Sequence, residues 1–378
     1  MPAGVIILGG HVQALGIARV FGRQSIPVVI IDKVKKSLTR HSRYITDFFC
    51  IEDERLLVFL LDSNFIRRYR GWQIYPTNDF HVSLLSRNKT ELTRFYKVAS
   101  DDWQIVQRFY NKKLAYELVS KIDIPFPSTC FPGSEADINV YNGDFPCIIK
   151  PAIMHTFYNA LRKKVLLCRD KTELLENYKL ATRIIPSGEI MIQEIIPGDS
   201  RNQFSACFFS INGDPIVSLT ACRMRQHPLD FGNATTYAET VDNIEILEAA
   251  RKVLKNSTYT GICEIEFKRD ERDQKYKFLE VNARTWKWHL IGTVSGSPFL
   301  PCYYKYLNGE FPEKKNSFTA ASFRHGLTDF YVQMQMLFKG IPQWRKNLKP
   351  QISAVWDPDD IKPWIYEKLY IFNFIRTR

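Results

Sequence analysis

Apolar positions along this chain follow two periods, and the places where one gives way to the other divide it into elements. Residues 4–10, GVIILGG, form an unbroken apolar run closed by two glycines, and residues 11–23 then space their apolar side chains along one helical face. A second run, residues 27–31, ends on Asp32, so a buried strand, a helix and a second buried strand open the chain. Strand-like residues 71–75 precede a helical stretch whose apolar face holds Val82, Leu84, Leu85, Leu92 and Phe95. Residues 103–120 read as one helix, which the two prolines of residues 124–129, IPFPST, bring to an end. Short apolar runs at 147–149 and within 189–198 read as buried strands. Residues 204–211 and 215–220 flank Asn212, Gly213 and Asp214, a hairpin signal, because Asn and Gly accept the positive φ of the tight turn that fits strand twist. Residues 243–256 return to the helical period, and strands around 264–267 and 276–281 enclose a polar hairpin segment, 268–274. Beyond residue 301 the pattern is mainly helical and rich in aromatics, with Trp356, Asp357, Pro358, Asp359 and Asp360 forming a turn before a final helix.

Candidate chemistry concentrates in residues 263–289, CEIEFKRDERDQKYKFLEVNARTWKWH. Side chains two residues apart on a strand share a face, so paired strands would converge Glu266, Glu280 and Asn282 on one point. Two carboxylates and an amide oxygen suit Mg²⁺ held together with nucleotide phosphates. Arg284 is placed to grip a phosphate or acyl phosphate with its forked cation. A surface hairpin of solvated charges is the competing reading. Trp286 and Trp288 either wall an acceptor pocket or pack in the core. Lys150 ends an apolar strand directly before a proline, poorly placed for solvent and in need of an anion. Arg223 and Arg225 fall on one strand face, where they repel unless an anion lies between them; an exposed edge strand is the alternative.

Composition narrows the classes. With 378 residues the chain is long enough for two or three domains, and 45% hydrophobic against 24% charged residues is ordinary for a globular protein. Eight cysteines lie without a C-x-x-C pair, which favours free buried thiols in a reducing cytosol over disulfides or zinc, and the opening residues read as a strand rather than a signal peptide. No stretch reaches the roughly 18 apolar residues of a membrane span. The net charge of +12 is spread along the chain rather than gathered on a recognition element, so anionic small molecules fit it better than nucleic acid. The run 368–378, KLYIFNFIRTR, mixes aromatics with cations and would either dock as a terminal helix or touch a membrane surface peripherally.

The pattern E…E-x-N-x-R at Glu266, Glu280, Asn282 and Arg284 resembles the metal-binding strand pair of the ATP-grasp superfamily, and its wording is similar to that of the carboxylate–amine ligases that include D-aspartate ligases. Other landmarks follow in the order that resemblance implies. Asn111-Lys112 stands where the family has a D-K or N-K pair at a helix start, although a solvated helix lysine is a competing reading of Lys112. Lys150 stands in the P-x-x-x-K-P setting of the family's phosphate-binding lysine. Gln193, Glu194, Ile195 and Ile196 would bind the adenine end of ATP, largely through backbone groups, and Asp199 would hold the ribose. Arg223 would contact the γ-phosphate or acyl phosphate, and Arg225 the carboxylate substrate or phosphate. One landmark is missing: the family's glycine-rich loop corresponds here to residues 152–164, AIMHTFYNALRKK, with no glycine, which leaves His155, Thr156, Lys163 and Lys164 as candidates to cover phosphates.

The fold class expected is therefore α/β (α+β), an ATP-grasp fold with a Rossmann-like domain at residues 1–100, a small lobe at 101–200, a large lobe carrying the metal site at 201–310, and a helical C-terminal extension at 311–378. The function the resemblance implies is ATP-dependent ligation of a carboxylate to an amine, with ATP and Mg²⁺ (or Mn²⁺) as cofactors and a cell-envelope precursor as one acceptor, in the cytoplasm. Two other readings remain: an NAD-dependent oxidoreductase built on Gly9, Gly10, Gly16 and Asp32, whose spacing is not G-x-G-x-x-G, and a catalytically silent nucleotide-binding protein. The acid, the amine and the oligomeric state are not legible in the sequence.

Overall fold

The computed structural model describes residues 3–230, 232, 234–341 and 351–369. Its first sheet has five parallel strands, β1 (Val5–Leu8), β2 (Val28–Asp32), β3 (Ile45–Cys50), β4 (Gln73–Pro76) and β5 (Lys97–Val98), in the order β3-β2-β1-β4-β5. Strands β1 and β2 are buried throughout, as unbroken apolar runs must be when both faces of a parallel sheet are covered. The glycines after β1 serve close packing. A Cβ on Gly9, where φ is +94°, would stand 2.3 Å from Thr77 Oγ1, and one on Gly10 would stand 1.9 Å from Ser37 Oγ. Ser37 and Asp32 thus pack directly against Gly10.

A second, antiparallel sheet comprises β6 (Thr129–Cys130), β7 (Cys147–Pro151), β8 (Leu166–Cys168) and β9 (Ile190–Glu194), in the order β6-β9-β7-β8. Its core of Ile149, Leu166, Ile190 and Ile192 packs against Leu174, Tyr178 and Ala181 of the helix Lys171–Thr182. The stretch 103–120 is not one helix. It divides into Trp103–Tyr110 and Lys112–Lys121, because the Asn111 side chain accepts from Lys113 N at 3.0 Å and caps a new start. That restart places Lys112 in a first helical turn beside the third sheet.

The third sheet is the largest: β10 (Gln203–Ile211), β11 (Asp214–His227), β12 (Ala234–Thr240), β13 (Gly261–Arg269), β14 (Tyr276–Asn282), β15 (Ser322–Arg324) and β16 (Gln351–Ser353). Its order is β14-β13-β10-β11-β12-β15-β16, antiparallel except for β15 and β16. The β10–β11 turn has positive φ at both Asn212 and Gly213, as the hairpin signal required. Phe208, Ile265, Phe267 and Phe278 bury one face against Ile246, Ala250, Val253 and Leu254 of the helix Ile244–Ser257, which Asn243 caps.

The C-terminal part is helical at Phe299–Leu307, Gly326–Phe338 and Lys362–Leu369, and it also supplies β15 and β16. These strands are three residues each, too short for period-two alternation to reveal them. The turn at 356–360 anchors this part to the first helix: buried Arg19 donates through Nε to Asp360 at 3.0 Å, and Asp360 also accepts from Ser42 Oγ at 2.7 Å. Tyr366 stacks on His41 at 3.8 Å, so the described portion of the terminal helix is docked; residues 370–378 lie outside the described residues. All eight cysteines are free thiols, with Cys50 and Cys130 exposed and the other six buried.

Candidate active site

Strand register decides the centre of the site. Glu266 of β13 stands directly opposite Glu280 of β14, and Glu264 opposite Asn282, so the even spacing on each strand turns all four side chains to one face. Asn282 Nδ2 donates to Glu264 Oε2 and to Glu266 Oε1, both at 3.1 Å. Glu266 also accepts from Arg223 Nη2 at 3.2 Å and from Gln203. Glu280 pairs with Lys112 Nζ at 3.1 Å. Burial alone would raise the Glu280 carboxyl, but Lys112, Lys164 and Lys150 hold it well below the ordinary carboxylate range. Glu264 goes the other way: burial, then the neighbouring charge of Glu266, push it up to about 8. Sequence reasoning left Glu264 out of the site, although its i, i+2 relation to Glu266 was the signal that would have included it.

Arg284 is near this centre and already engaged. Its Nη2 donates to Asn282 Oδ1 at 2.9 Å and its Nε to Asp79 Oδ1 at 2.7 Å. Asp79 begins the helix after β4, at the point where the parallel sheet reverses its strand order, so Arg284 ties that sheet to the third one. The amide oxygen expected to face a cation faces Arg284 instead.

A cavity of about 460 Å³ opens over Glu266 and Glu280 and extends between the second and third sheets, walled on its basic side by Lys112, Lys150, Lys164 and Arg223. Lys150, at the end of β7, donates to Gln193 Oε1 at 3.1 Å and to Tyr116 Oη at 3.4 Å. Both partners are neutral. Burial, reinforced by the like charge of Lys112, lowers the Lys150 ammonium to about 8, and burial likewise lowers Lys164. Lys112 is raised, because Glu280 and Asp79 outweigh the effect of its burial. Arg223 Nε is buried without a hydrogen-bond partner among the described residues. The site therefore holds buried cationic donors that protein carboxylates do not saturate, which fits a polyanion.

Among the described residues no three His, Cys, Asp or Glu side chains form a metal-holding group. The donor set present, two carboxylates with an amide, nevertheless fits a hard cation that takes its other ligands from phosphate and water.

The adenine-side candidates Gln193, Glu194, Ile195, Ile196 and Asp199 all line the same cavity, together with Ile148 and Leu279. Their polar groups are partly committed. The Ile196 carbonyl accepts from Lys268 Nζ at 2.8 Å, which occupies one of its two lone pairs. The Glu194 carboxylate is held by Ser128 N, Arg272 and Lys277, and Asp199 by Arg201. Lys268 and Tyr116 are contributors that sequence reasoning did not name.

Arg225 differs from expectation. The β11–β12 register shifts between Arg223 and Arg225. The Arg225 guanidinium grips Asp329 through Nε at 2.7 Å and Nη2 at 2.9 Å, over the Tyr237 ring. The two arginines are thus relieved by different carboxylates, Arg223 by Glu266 and Arg225 by buried Asp329 of the helix Gly326–Phe338. Trp286 and Trp288 resolve to the core, packed against each other and, through Trp286, against Phe299. In the glycine-free segment a helix, Met154–Leu161, carries His155 and Thr156 on exposed positions, and Lys163 is exposed as well; Met154 and Lys164 face the cavity.

Comparison with known proteins bears on the fold. The family model of the carbamoyl-phosphate synthase L chain, ATP binding domain, matches residues 233–308, the part that carries β13, β14 and Arg284. D-aspartate ligase of Enterococcus faecium (strain Aus0004) is 24% identical over 255 residues, 63% of this chain; the chain spans 59% of that relative's length. N5-carboxyaminoimidazole synthetase from Staphylococcus aureus, solved with ADP, superposes with a TM-score of 0.65 at 14% identity, over 90% of this chain and 87% of that one. L-amino acid ligase from Bacillus licheniformis gives 0.61 at 13% identity, over 82% and 76%. The biotin carboxylase domain of the Hydrogenobacter thermophilus 2-oxoglutarate carboxylase, solved with MgADP, gives 0.66 at 14% identity, over 84% and 73%. A parallel sheet at the N-terminus followed by two antiparallel sheets is thus the ATP-grasp fold of these solved structures, and the chain is similar in sequence to ATP-grasp proteins.

Proposed function

We propose that this protein is an ATP-dependent carboxylate–amine ligase working through an acyl phosphate. The observation that carries this reading is the meeting, in one cavity, of Glu266 and Glu280 with Lys112, Lys150, Lys164 and Arg223, brought from three parts of the chain, with Asn282 hydrogen-bonded to Glu266 beside it. ATP would lie with its adenine between Ile148, Ile196 and Leu279 and its phosphates toward Lys150 and Arg223. Mg²⁺, or Mn²⁺, would be held by Glu266, Glu280 and Asn282 and would supply charge neutralisation at the phosphates. Asn282 would turn its amide oxygen to the cation, which would leave Arg284 Nη2 open to the acyl phosphate while Asp79 still holds Nε.

A substrate carboxylate oxygen attacks the γ-phosphorus, the bond to ADP breaks, and an acyl phosphate forms. The amine nitrogen then attacks the acyl carbon, phosphate leaves, and the nitrogen gives up a proton as the amide forms. The protein's part is positioning and charge compensation: Arg223 Nε, which has no partner among the described residues, and the Lys150 ammonium would be donors already in place as charge moves. Arg225 also lines the cavity, but its guanidinium is committed to Asp329, so it would act chiefly by holding that helix. The relative's name supports D-aspartate as one donor, and the excess of basic residues suits an anionic cell-envelope precursor as acceptor.

The test is hydroxylamine trapping with Mg-ATP and a panel of amino and carboxylic acids that includes D-aspartate. A hydroxamate formed with one acid, in step with ADP, is the expected result and names the donor. Mg-ATP binding without a hydroxamate from any acid would favour a silent nucleotide-binding protein, and failure to bind ATP would end the reading.

A further inference from the structure

The helix Gly326–Phe338 presents its faces in an unusual way. Its polar residues turn inward: Asp329 is fully buried and accepts from Arg225, Arg324, Thr236 and Gln333. Val332 is buried with it and Met336 faces the large cavity, but the larger apolar residues on the other side turn outward. Phe330 is 62% exposed, Tyr331 53%, Leu337 60% and Phe338 82%, and half-buried Met334 lies between them on the same side. The spacing 330, 334, 337, 338 is one continuous helical stripe. The buried Arg225–Asp329 pair fixes which side faces out, so the exposed stripe is a consequence of the packing.

We propose that this helix seats the protein on an anionic lipid bilayer, with the stripe in the interfacial layer. Charge selects this occupant over others. Asp329 is the helix's one acidic residue and it is neutralised in the interior, whereas exposed Lys339 follows the stripe at once. Aromatic and aliphatic side chains beside cations suit the headgroup boundary of a negatively charged leaflet. Among the described residues no helix is long and apolar enough to cross a membrane, so the contact is peripheral. Met336 of the same helix and Ile341 just beyond it line the large cavity, so seating would bring the cavity wall to the lipid surface. If the ligase reading holds, this location suits an amphiphilic acceptor; the surface contact itself does not depend on that reading.

Flotation of the full chain with vesicles tests the proposal, using phosphatidylcholine mixed with phosphatidylglycerol against phosphatidylcholine alone. Binding to the anionic vesicles, weakened by salt, is expected. The triple variant Phe330→Ser, Leu337→Ser, Phe338→Ser should bind more than about tenfold more weakly, and Lys339→Glu several-fold more weakly. Melting temperature and Mg-ATP affinity, both independent of lipid, should be unchanged in the triple variant, which separates loss of the surface from loss of the fold or of the nucleotide site. The proposal is overturned if the parent chain does not float with anionic vesicles, or if the triple variant floats as well as the parent. It is equally overturned if light scattering without lipid shows a dimer that the triple variant abolishes, since a second copy then covers the stripe.

Discussion

Glu266 and Glu280 are direct cross-strand partners on β13 and β14, two carboxylates held face to face in a largely buried site. Like charges so placed destabilise a sheet unless cations compensate them, and here Lys112 and Arg223 do so from opposite sides. In the proposed reaction a metal and a nucleotide would take over part of that compensation. Glu280→Gln should therefore keep the fold, judged by an unchanged circular dichroism spectrum, and lower ADP formation by about a hundredfold or more. A folded variant with normal turnover would remove the metal assignment.

Glu264 orients Asn282 by accepting one of its amide hydrogens. That bond keeps the amide oxygen toward Arg284, so Glu264→Ala should free Asn282 to turn and tighten Mn²⁺ binding in the presence of ATP by about fivefold, read from the paramagnetic resonance of free Mn²⁺. Glu264→Gln, still able to accept through its amide oxygen, should bind Mn²⁺ as the parent does. Weaker binding in Glu264→Ala would mean that Glu264 supports the metal site directly and does not restrain Asn282.

Burial and Lys112 lower the Lys150 ammonium to about 8, so near neutral pH it is still mainly charged and above that value it becomes neutral. Bound phosphate favours the charged form, so ATP affinity should decline as pH rises through about 8, with a proton taken up on binding in that range. Calorimetry in buffers of different ionisation enthalpy would detect the uptake. Lys150→Met should abolish the alkaline decline. Glu264 titrates in the same range, so Glu264→Gln is the control: if it removes the decline and Lys150→Met does not, the assignment to Lys150 fails.

Arg225 holds Asp329, and with it the helix Gly326–Phe338, against the third sheet. Arg225→Met would leave that buried carboxylate short of its main partner, and a loss of about 3 kcal/mol in urea unfolding is expected. In the fraction that remains folded, nucleotide affinity should be unchanged. A stable variant with a selectively raised KM for the acid would show instead that Arg225 meets substrate.

The sequence by itself determined the elements and much of the site. Alternation forced Glu266, Glu280 and Asn282 toward one point once β13 and β14 paired, and an apolar strand ending on Lys150 required a polar destination for its ammonium. The Asn212-Gly213 turn needed only local backbone sterics. What tertiary structure decided were the partners, because a hydrogen bond depends on where distant segments come to rest. Arg223 and Arg225 are alike in the sequence, yet a register shift in β11 sends one to Glu266 and the other to Asp329, more than a hundred residues on. Trp286 and Trp288 could equally have walled a pocket, and only the packing of Phe299 against Trp286 placed them in the core. β15 and β16, three residues each, form strands because the edge of β12 offers unpaired backbone groups to the chain that returns past it, a demand made by the sheet that no local pattern records.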